Sequence, residues 1–242
     1  MASPGSMQFI DVHTHILPGI DDGARDLAES LLILKEAVQS GVKEIILTPH
    51  HSYHADFDLG RVLQEFESFK QAVLHERIPV TLHLGHEIMA APELPGLIKT
   101  DKRLTINGRG KFILIEVPTF EMPMYTAGVF FGIMAQGVTP VWAHPERCFD
   151  VLKHEQILKD FMASGGMLQI NAGSLLGKYG RSARASALAL LKKGYCHIVA
   201  SDIHRSGEIN RLLPEAFLFL KKAVGSQKAE DMVFTMPSKL IA

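Results

Sequence analysis

Short apolar runs recur along the chain and alternate with longer stretches in which apolar residues return every three or four positions. Most of the short runs are continuous rather than alternating, a pattern typical of strands buried on both faces. We predict strands at residues 8–12, 44–48, 80–84, 112–116, 140–143, 167–171 and 197–201. Seven strands alternating with helices predict an α/β fold whose parallel sheet closes, or nearly closes, into a barrel.

The longer stretches predict amphipathic helices, of which the clearest covers residues 26–41. Asp26 and Glu29 have the spacing of a capping box at its start, and Gly41 lies at its end. Its predicted buried stripe comprises Leu27, Leu31, Leu34 and Val38. Further helices are predicted at residues 57–76, 126–136, 152–164, 182–193 and 212–224.

The composition narrows the classes of protein to which the chain can belong. Lys and Arg number 25 against 26 Asp and Glu, without an obvious cluster, which argues against a nucleic-acid-binding surface. We find no signal peptide and no apolar run of the roughly 18 residues that a membrane span needs. Two cysteines are too few for a disulfide framework, so we predict a protein of the reducing cytoplasm. Residues 1–6 are interpreted as a cloning remnant.

Histidines and carboxylates follow nearly every predicted strand at the point where the strand ends. Because the carboxyl ends of parallel barrel strands open on one face, we expect these side chains to meet there. Any one of them, taken alone, is more often a core histidine, a helix cap or a solvated charge. The candidate ligands in this phase are His13, His15, Asp22, His50, Glu87, Glu116, His144, Asp202 and His204.

Nitrogen and oxygen ligands without a thiolate suit Mn²⁺, Fe or Zn²⁺ and argue against a structural zinc site. Nine ligands are too many for one ion and fit two or three. The four carboxylates of the set carry four negative charges, and three divalent ions would carry six positive charges. The net charge of the site would then be about +2. The site would therefore favour an anionic substrate such as a phosphate ester.

Arg147 lies three residues after His144, where its guanidinium could hold phosphate oxygens. The alternatives are a surface arginine or one that pairs with Glu146. A cysteine-dependent phosphatase needs an Arg six positions after its Cys, and neither Cys148 nor Cys196 has one. The segment GSLLGKYG at 173–180 departs from a phosphate-binding P-loop in both its spacing and its last residue.

The segments IDVHTHILPGIDDGA, TPHH, GHE, LIEVP, AHPER and ASDIH occur in this order and resemble the PHP (polymerase and histidinol phosphatase) superfamily. Within it, they are most similar to the manganese-dependent bacterial protein tyrosine phosphatases of the CpsB/YwqE type, which are encoded with capsule and exopolysaccharide genes. The resemblance covers residues 7–242, which we take as a single PHP domain.

The resemblance implies a distorted (β/α)7 barrel with three metal ions, most often Mn²⁺, bound by the same nine residues. It also implies a phosphotyrosine substrate in the tail of a membrane-associated tyrosine autokinase, and it leaves homo-oligomers open. A second Arg of the family falls at Ile209 here, where Arg205 or Arg211 could substitute.

We expect a metal-bridging hydroxide to attack phosphorus, with Arg147 stabilising charge on the phosphate oxygens. His51 either serves as general acid or packs in the core. The alternatives are a phosphatase of histidinol phosphate or another small phosphomonoester, a PHP-type nuclease, and a metal-stabilised scaffold without activity.

Overall fold

In the computed structural model, the backbone is described for residues 7–51, 58–207 and 209–242, and the side chains of 209 and 210 are not described. The interpretation of residues 1–6 as a cloning remnant concerns a segment outside this range. The described residues form parallel strands at β1 Phe9–Thr14, β2 Val42–Leu47, β3 His50–His51, β4 Thr81–Leu84, β5 Glu87–Met89, β6 Phe112–Glu116, β7 Thr139–Ala143, β8 Met167–Asn171 and β9 Ile198–Ala200.

All seven predicted strands are confirmed within one or two residues, and β3 and β5 are additions that we did not predict. The strands form two parallel sheets, in the orders β1-β2-β4 and β3-β5-β6-β7-β8-β9. A break at Thr48 and Pro49 separates β2 from β3, since Pro49 has no N–H to donate to a ladder. Backbone hydrogen bonds still cross the breaks, from Gly85 to Leu47 at 2.8 Å and from Glu87 to Pro49 at 3.2 Å.

The two sheets also approach each other where β1 and β9 end. The N–H of His15 donates to the carbonyl of Ile203, and the N–H of Asp202 donates to the carbonyl of His13, both at 2.9 Å. These bonds bring the carboxyl ends of the first and last strands together, as a mouth built from parallel strands requires.

The helices among the described residues are α1 Leu27–Gln39, α2 Leu59–His75, α3 Leu94–Thr100, α4 Thr126–Met134, α5 Glu155–Ala163, α6 Ala172–Leu176, α7 Gly180–Lys192, α8 Ile209–Val224, α9 Ser226–Glu230 and α10 Met236–Ile241. Asp26 caps α1 as predicted, since its side chain accepts the N–H of Glu29. The predicted buried stripe of α1 is wrong at Leu27, which is 43% exposed. The buried face instead contains Ser30, Ile33 and Ala37 beside Leu34, so it is turned by about one residue from the predicted stripe. No helix of the described residues is long and apolar enough to cross a membrane.

Alternate residues of β6, β7 and β9 belong to two different apolar clusters. Ile113 and Ile115 of β6 pack outward beneath the helices, whereas Leu114 joins a second cluster on what we call the inner face. Leu240 of α10 is buried in that second cluster and covers the amino ends of the strands. The buried part of the inner face comprises Ile10, Val12, Ile46, Ile106, Leu114, Val141, Ala143, Ile198, Ala200 and Leu240.

The inner face changes character along each strand. On β6 it runs from Phe112 through Leu114 to Glu116, and on β8 from Met167 to buried Gln169 and Asn171. Because every second residue of a strand faces the same side, the inner face has apolar residues at the base of these strands and polar residues at their carboxyl ends. The candidate site lies at that polar end.

Candidate metal centre

All nine predicted ligands come together at the carboxyl ends of the strands. They form four overlapping groups in which nitrogen and carboxylate oxygen atoms lie within 4.8 Å of one another, as a bound cation requires. The groups are His15, Asp22, His50 and His204; His13, His15 and Glu87; His13, His144 and Asp202; and His50, Glu87 and Glu116.

His13 and His15 are fully buried on β1 and its end, and each ring is held through its Nδ1 atom. The Nδ1 atom of His13 lies 2.8 Å from Oε1 of Gln169, and that of His15 lies 2.7 Å from Oδ2 of Asp21. With Nδ1 donating to these oxygens, Nε2 keeps its lone pair. The two Nε2 atoms are only 3.1 Å apart, so two lone pairs converge on one point. Such a pair fits a cation between them.

The sequence analysis did not single out Asp21 and Gln169, which hold these two rings. Asp21 also accepts the N–H groups of Gly23 at 2.9 Å and His50 at 3.0 Å, and its pKa is lowered to about 2 by His15 and these bonds, against the effect of burial. Gly23 is required here because a Cβ atom would lie 1.8 Å from the carbonyl oxygen of His15. The IDDGA segment thus combines an orienting carboxylate, a candidate ligand and a close backbone approach.

Glu87 lies at the centre of the cluster at the start of β5. Its Oε1 atom is 2.7 Å from Nε2 of His144, and its Oε2 atom is 3.2 Å from ring nitrogens of His13, His15 and His50. Although burial would raise the pKa of Glu87, His13 and His144 hold it well below its usual range. Conversely, burial lowers the pKa of His144, but Glu87 and Asp202 raise it to about 9.

The two oxygens of Asp202 have separate partners. Oδ1 lies 3.4 Å from the Nε2 atoms of both His13 and His15, while Oδ2 accepts from Asn171 at 2.6 Å and Arg147 at 3.2 Å. The N–H of Asn171 in turn donates to buried Glu146 at 3.0 Å. Arg147 therefore pairs with Asp202 rather than with Glu146. The buried carboxyl group of Glu146 accepts the backbone N–H of Asn171 instead.

Two of the candidate ligands have an unusual backbone. His144 and Asp202 adopt left-handed conformations, with φ of 33° and 55°. Non-glycine residues rarely occupy this region, and the cost is of order 1–3 kcal/mol each. His144 directly follows the inner-face residue Ala143, and Asp202 lies two residues after the inner-face residue Ala200. The left-handed turn aims each side chain towards the cluster.

The outer part of the cluster faces a cavity of about 190 Å³. Asp22 is exposed, and its Oδ1 atom lies 3.5 Å from Nε2 of both His50 and His204. Glu116 is less exposed, and burial together with the charge of Glu87 raises its pKa. The cavity lining comprises Asp22, His50, Glu87, Glu116, His144, Arg147, Tyr179, Asp202 and His204.

His51 lies elsewhere. Its ring is 6.2 Å from that of buried His86, and it is not among the residues that line the cavity. Burial lowers the pKa of His51 and lowers that of His86 to about 3. The general-acid role of His51 stays a prediction, and the contacts favour the alternative of packing.

Of the candidates for a second arginine, Arg205 donates to the carbonyl of Gly23 and lies 3.8 Å from Glu29, while Arg211 is exposed. The side chain of Ile209 lies outside the described residues. Cys148 is buried, and burial raises its pKa to about 11, so it is a thiol at neutral pH. Both cysteines pack in the apolar cluster that lies beneath the helices.

Comparison with known proteins yields a consistent result. A family model described as capsular polysaccharide synthesis, CpsB/CapC, matches residues 9–242. Tyrosine-protein phosphatase YwqE of Bacillus subtilis is 34% identical over 90% of this chain and 86% of its own length. A crystal structure from work on YwqE of Bacillus subtilis and CpsB of Streptococcus pneumoniae, described as unique metal-dependent tyrosine phosphatases, is 33% identical with a TM-score of 0.82 and covers 91% of this chain and 89% of that one.

A more distant structure, histidinol phosphate phosphatase of Lactococcus lactis with zinc, L-histidinol and phosphate, has a TM-score of 0.56 at 14% identity. It covers 90% of this chain and 94% of its own. At this identity, the likeness extends to the fold alone.

Proposed function

The chain belongs to the CpsB/CapC family of capsular polysaccharide synthesis proteins, and from this premise we propose that it is a metal-dependent protein tyrosine phosphatase. The observation that carries the proposal is the convergence of nine histidine and carboxylate side chains on one cavity that also contains a guanidinium. Relatives named tyrosine-protein phosphatases, which match along most of the chain, supply the substrate class.

We propose the same nine residues as ligands of three divalent ions, with Mn²⁺ as the working metal and Fe or Zn²⁺ as alternatives. The donor set is nitrogen and oxygen only, which suits these metals. Bound ions would lower the pKa of water and so supply a nucleophile near neutral pH. Gln169 and Asp21 orient the two buried histidines, so that their Nε2 atoms stay available.

Arg147 binds the phosphate of the substrate in this proposal. One N–H of its guanidinium donates to Asp202, and the planar group has further donors that could reach phosphate oxygens in the same cavity. The leaving phenol of tyrosine has a pKa of about 10, far below that of a serine alcohol. A general acid is therefore less needed, which agrees with the finding that His51 is not among the residues that line the cavity.

We further propose that the strand segments act as the seven strands of a distorted (β/α)7 barrel of the PHP type, in a single domain over residues 7–242. The pairs β2 with β3 and β4 with β5 each then count as one interrupted strand, which the hydrogen bonds across the breaks support. The proposed protein substrate is the phosphotyrosine tail of a membrane-associated tyrosine kinase that controls capsule or exopolysaccharide synthesis. Cytoplasmic location and a possible homo-oligomer remain part of this proposal.

The test removes metal with a chelator, restores Mn²⁺, and measures phosphate release from a phosphotyrosine peptide and from histidinol phosphate side by side. We expect Mn²⁺-dependent release from the peptide and little from histidinol phosphate. The opposite preference would assign the protein to small phosphomonoesters, and absence of release from both would contradict a phosphatase.

Arg147→Ala sharpens this test, with Arg109→Ala as the matched control. Arg109 lies at the opposite end of the strands, where its guanidinium holds the carbonyl of Ile241 at 2.7 Å. We expect Arg147→Ala to lower kcat/KM on aryl phosphates by at least about tenfold, the loss expected for a charge-assisted hydrogen bond. Full activity of Arg147→Ala would remove that residue from the mechanism.

A further inference from the structure

The segment GSLLGKYG at 173–180 is not a P-loop, yet it delivers a side chain to the candidate metal centre. Tyr179 lines the same cavity as the nine candidate ligands. The Cζ atom of Arg147 lies 5.3 Å from the centroid of the Tyr179 ring, within the range of a cation–π contact. Arg147 thus has two described contacts, the carboxylate of Asp202 and the face of this ring.

The backbone of the segment is built around the ring. A Cβ atom at Gly173 would lie 2.7 Å from Cε2 of Tyr179, so only glycine leaves room for the ring. Gly177 ends α6 in a left-handed conformation with φ of 86°, and Gly180 follows Tyr179 with φ of 88°. The N–H of Lys178 donates to the carbonyl of Gly173 at 2.8 Å, which closes the turn.

We propose that Tyr179 is a positioning residue that holds the guanidinium of Arg147 in the orientation that receives phosphate. Asp202 fixes one N–H of Arg147, but a single hydrogen bond leaves the planar group free to rotate about it. A ring against its face removes that rotation and leaves the N–H groups in the guanidinium plane for ligand oxygens. The side chain of Arg147 is about one-third exposed, so without the ring, water molecules would compete with phosphate for its N–H groups.

The inference rests on the proposed function, because it assigns phosphate to Arg147. It makes a claim of its own, however, since the ring is predicted to act only through that arginine. Removal of the ring therefore has an effect that depends on whether Arg147 is present.

The experiment compares Tyr179→Leu, Tyr179→Phe, Arg147→Ala and the Tyr179→Leu, Arg147→Ala double variant, all loaded with Mn²⁺. The readouts are the dissociation constant of inorganic phosphate and kcat/KM on a phosphotyrosine peptide. Phe217→Leu is the matched control, because it removes a ring beneath Lys221, at 5.5 Å, on helix α8, and neither residue lines the cavity. Metal content and the unfolding midpoint of each variant identify any loss of structure.

We expect Tyr179→Leu to weaken phosphate binding and lower kcat/KM by about tenfold, while Tyr179→Phe stays near wild type. In the Arg147→Ala background, Tyr179→Leu should cause no further loss. Unchanged phosphate binding in Tyr179→Leu would overturn the proposal, and so would an equal loss in both backgrounds. If the wild type binds phosphate but does not hydrolyse the peptide, the proposed function fails and the binding series still decides the role of Tyr179. A wild type that binds no phosphate would overturn the role as well.

Discussion

The two ends of the inner face differ in what holds them together, although the same strands build both. At the base, Leu114 and Ile198 pack against Leu240 of α10, and these apolar contacts need only matching shape and volume. At the mouth, the residues two positions further on are Glu116 and Ala200, followed by Asp202, and buried charge there requires a partner.

This difference separates stability from function along one set of strands. Burial of the base stabilises the fold without a direct dependence on pH or on metal ions, because its side chains do not ionise. The mouth brings together carboxylates and imidazoles whose pKa values are shifted in opposite directions, and it depends on protons or cations for its balance. Substitutions at the two ends should therefore have distinguishable effects.

The largest effect is expected from Glu87→Gln, which removes the negative charge of the carboxylate. One oxygen of that carboxylate, Oε2, lies 3.2 Å from a ring nitrogen of each of three histidines. We expect a loss of Mn²⁺-dependent activity greater than the roughly 10–100-fold that outer hydrogen-bond partners cost. Phosphatase assays with titrated Mn²⁺ measure it. Glu44→Gln is the control, because Glu44 pairs with His83 at 2.9 Å away from the cavity. Comparable losses in the two variants would contradict a special role of Glu87.

A smaller effect at the mouth is expected from Gln169→Leu, which removes the partner of Nδ1 of His13. We expect about 10–100-fold weaker metal binding, because the ring loses its fixed orientation. Met167→Leu, two residues earlier on the same inner face, should leave metal affinity unchanged and alter stability by less than about 1.5 kcal/mol. Competition with a chromogenic chelator measures both, and equal affinities in the two variants would count against the orienting role.

At the base, Leu240→Ala should lower the free energy of unfolding by about 2–5 kcal/mol, because it leaves a cavity under the strands. The activity per folded molecule should be retained. Urea unfolding with parallel assays well below the unfolding midpoint tests both parts. A large fall in kcat in fully folded protein would mean that base and mouth are coupled.

The smallest effect is the pH dependence of the metal-free protein. His144 has a pKa raised from 6.5 to about 9, so its protonated form stabilises the folded state. That contribution is complete below about pH 6.5 and is lost as the pH rises through about 9. We expect the unfolding midpoint to fall over this interval, and Mn²⁺ to weaken or reverse the trend because metal binds neutral imidazole. A midpoint that rises with pH in metal-free protein would contradict this assignment.

The strands were predicted from local pattern, and so was the convergence of the nine candidate ligands. His144 and Asp202 follow apolar strands, which predicts their place at the mouth, whereas the left-handed backbone that turns both side chains towards the cluster was not predicted. Gln169 and Asp21 were not found, because their role depends on which ring nitrogen they meet. The contact between Gln169 and His13 joins residues that are 156 positions apart.

The breaks between β2 and β3 and between β4 and β5 were also missed. Pro49 was a usable signal for the first, since proline cannot donate to a central ladder. The buried face of α1 was misjudged because large apolar residues lie on more than one side of the helix: Leu27 and Leu32 are exposed, whereas Ile33 is fully buried. Tyr179 lies in the segment GSLLGKYG, which the sequence analysis compared only with a phosphate-binding P-loop. Gly173 in the same segment was a usable signal, because a glycine can mark a place where a side chain lies close against the backbone.

The left-handed backbone at His144 and Asp202 sets a boundary for engineering this fold. Glycine or asparagine at either position would relieve the conformational cost of the backbone. The same change at His144 would leave the buried carboxylate of Glu87 without its partner at 2.7 Å, which costs more than the backbone gains. A design that scores backbone conformation alone would therefore choose the wrong residue at this site, and screens for this enzyme need to score turnover together with melting temperature.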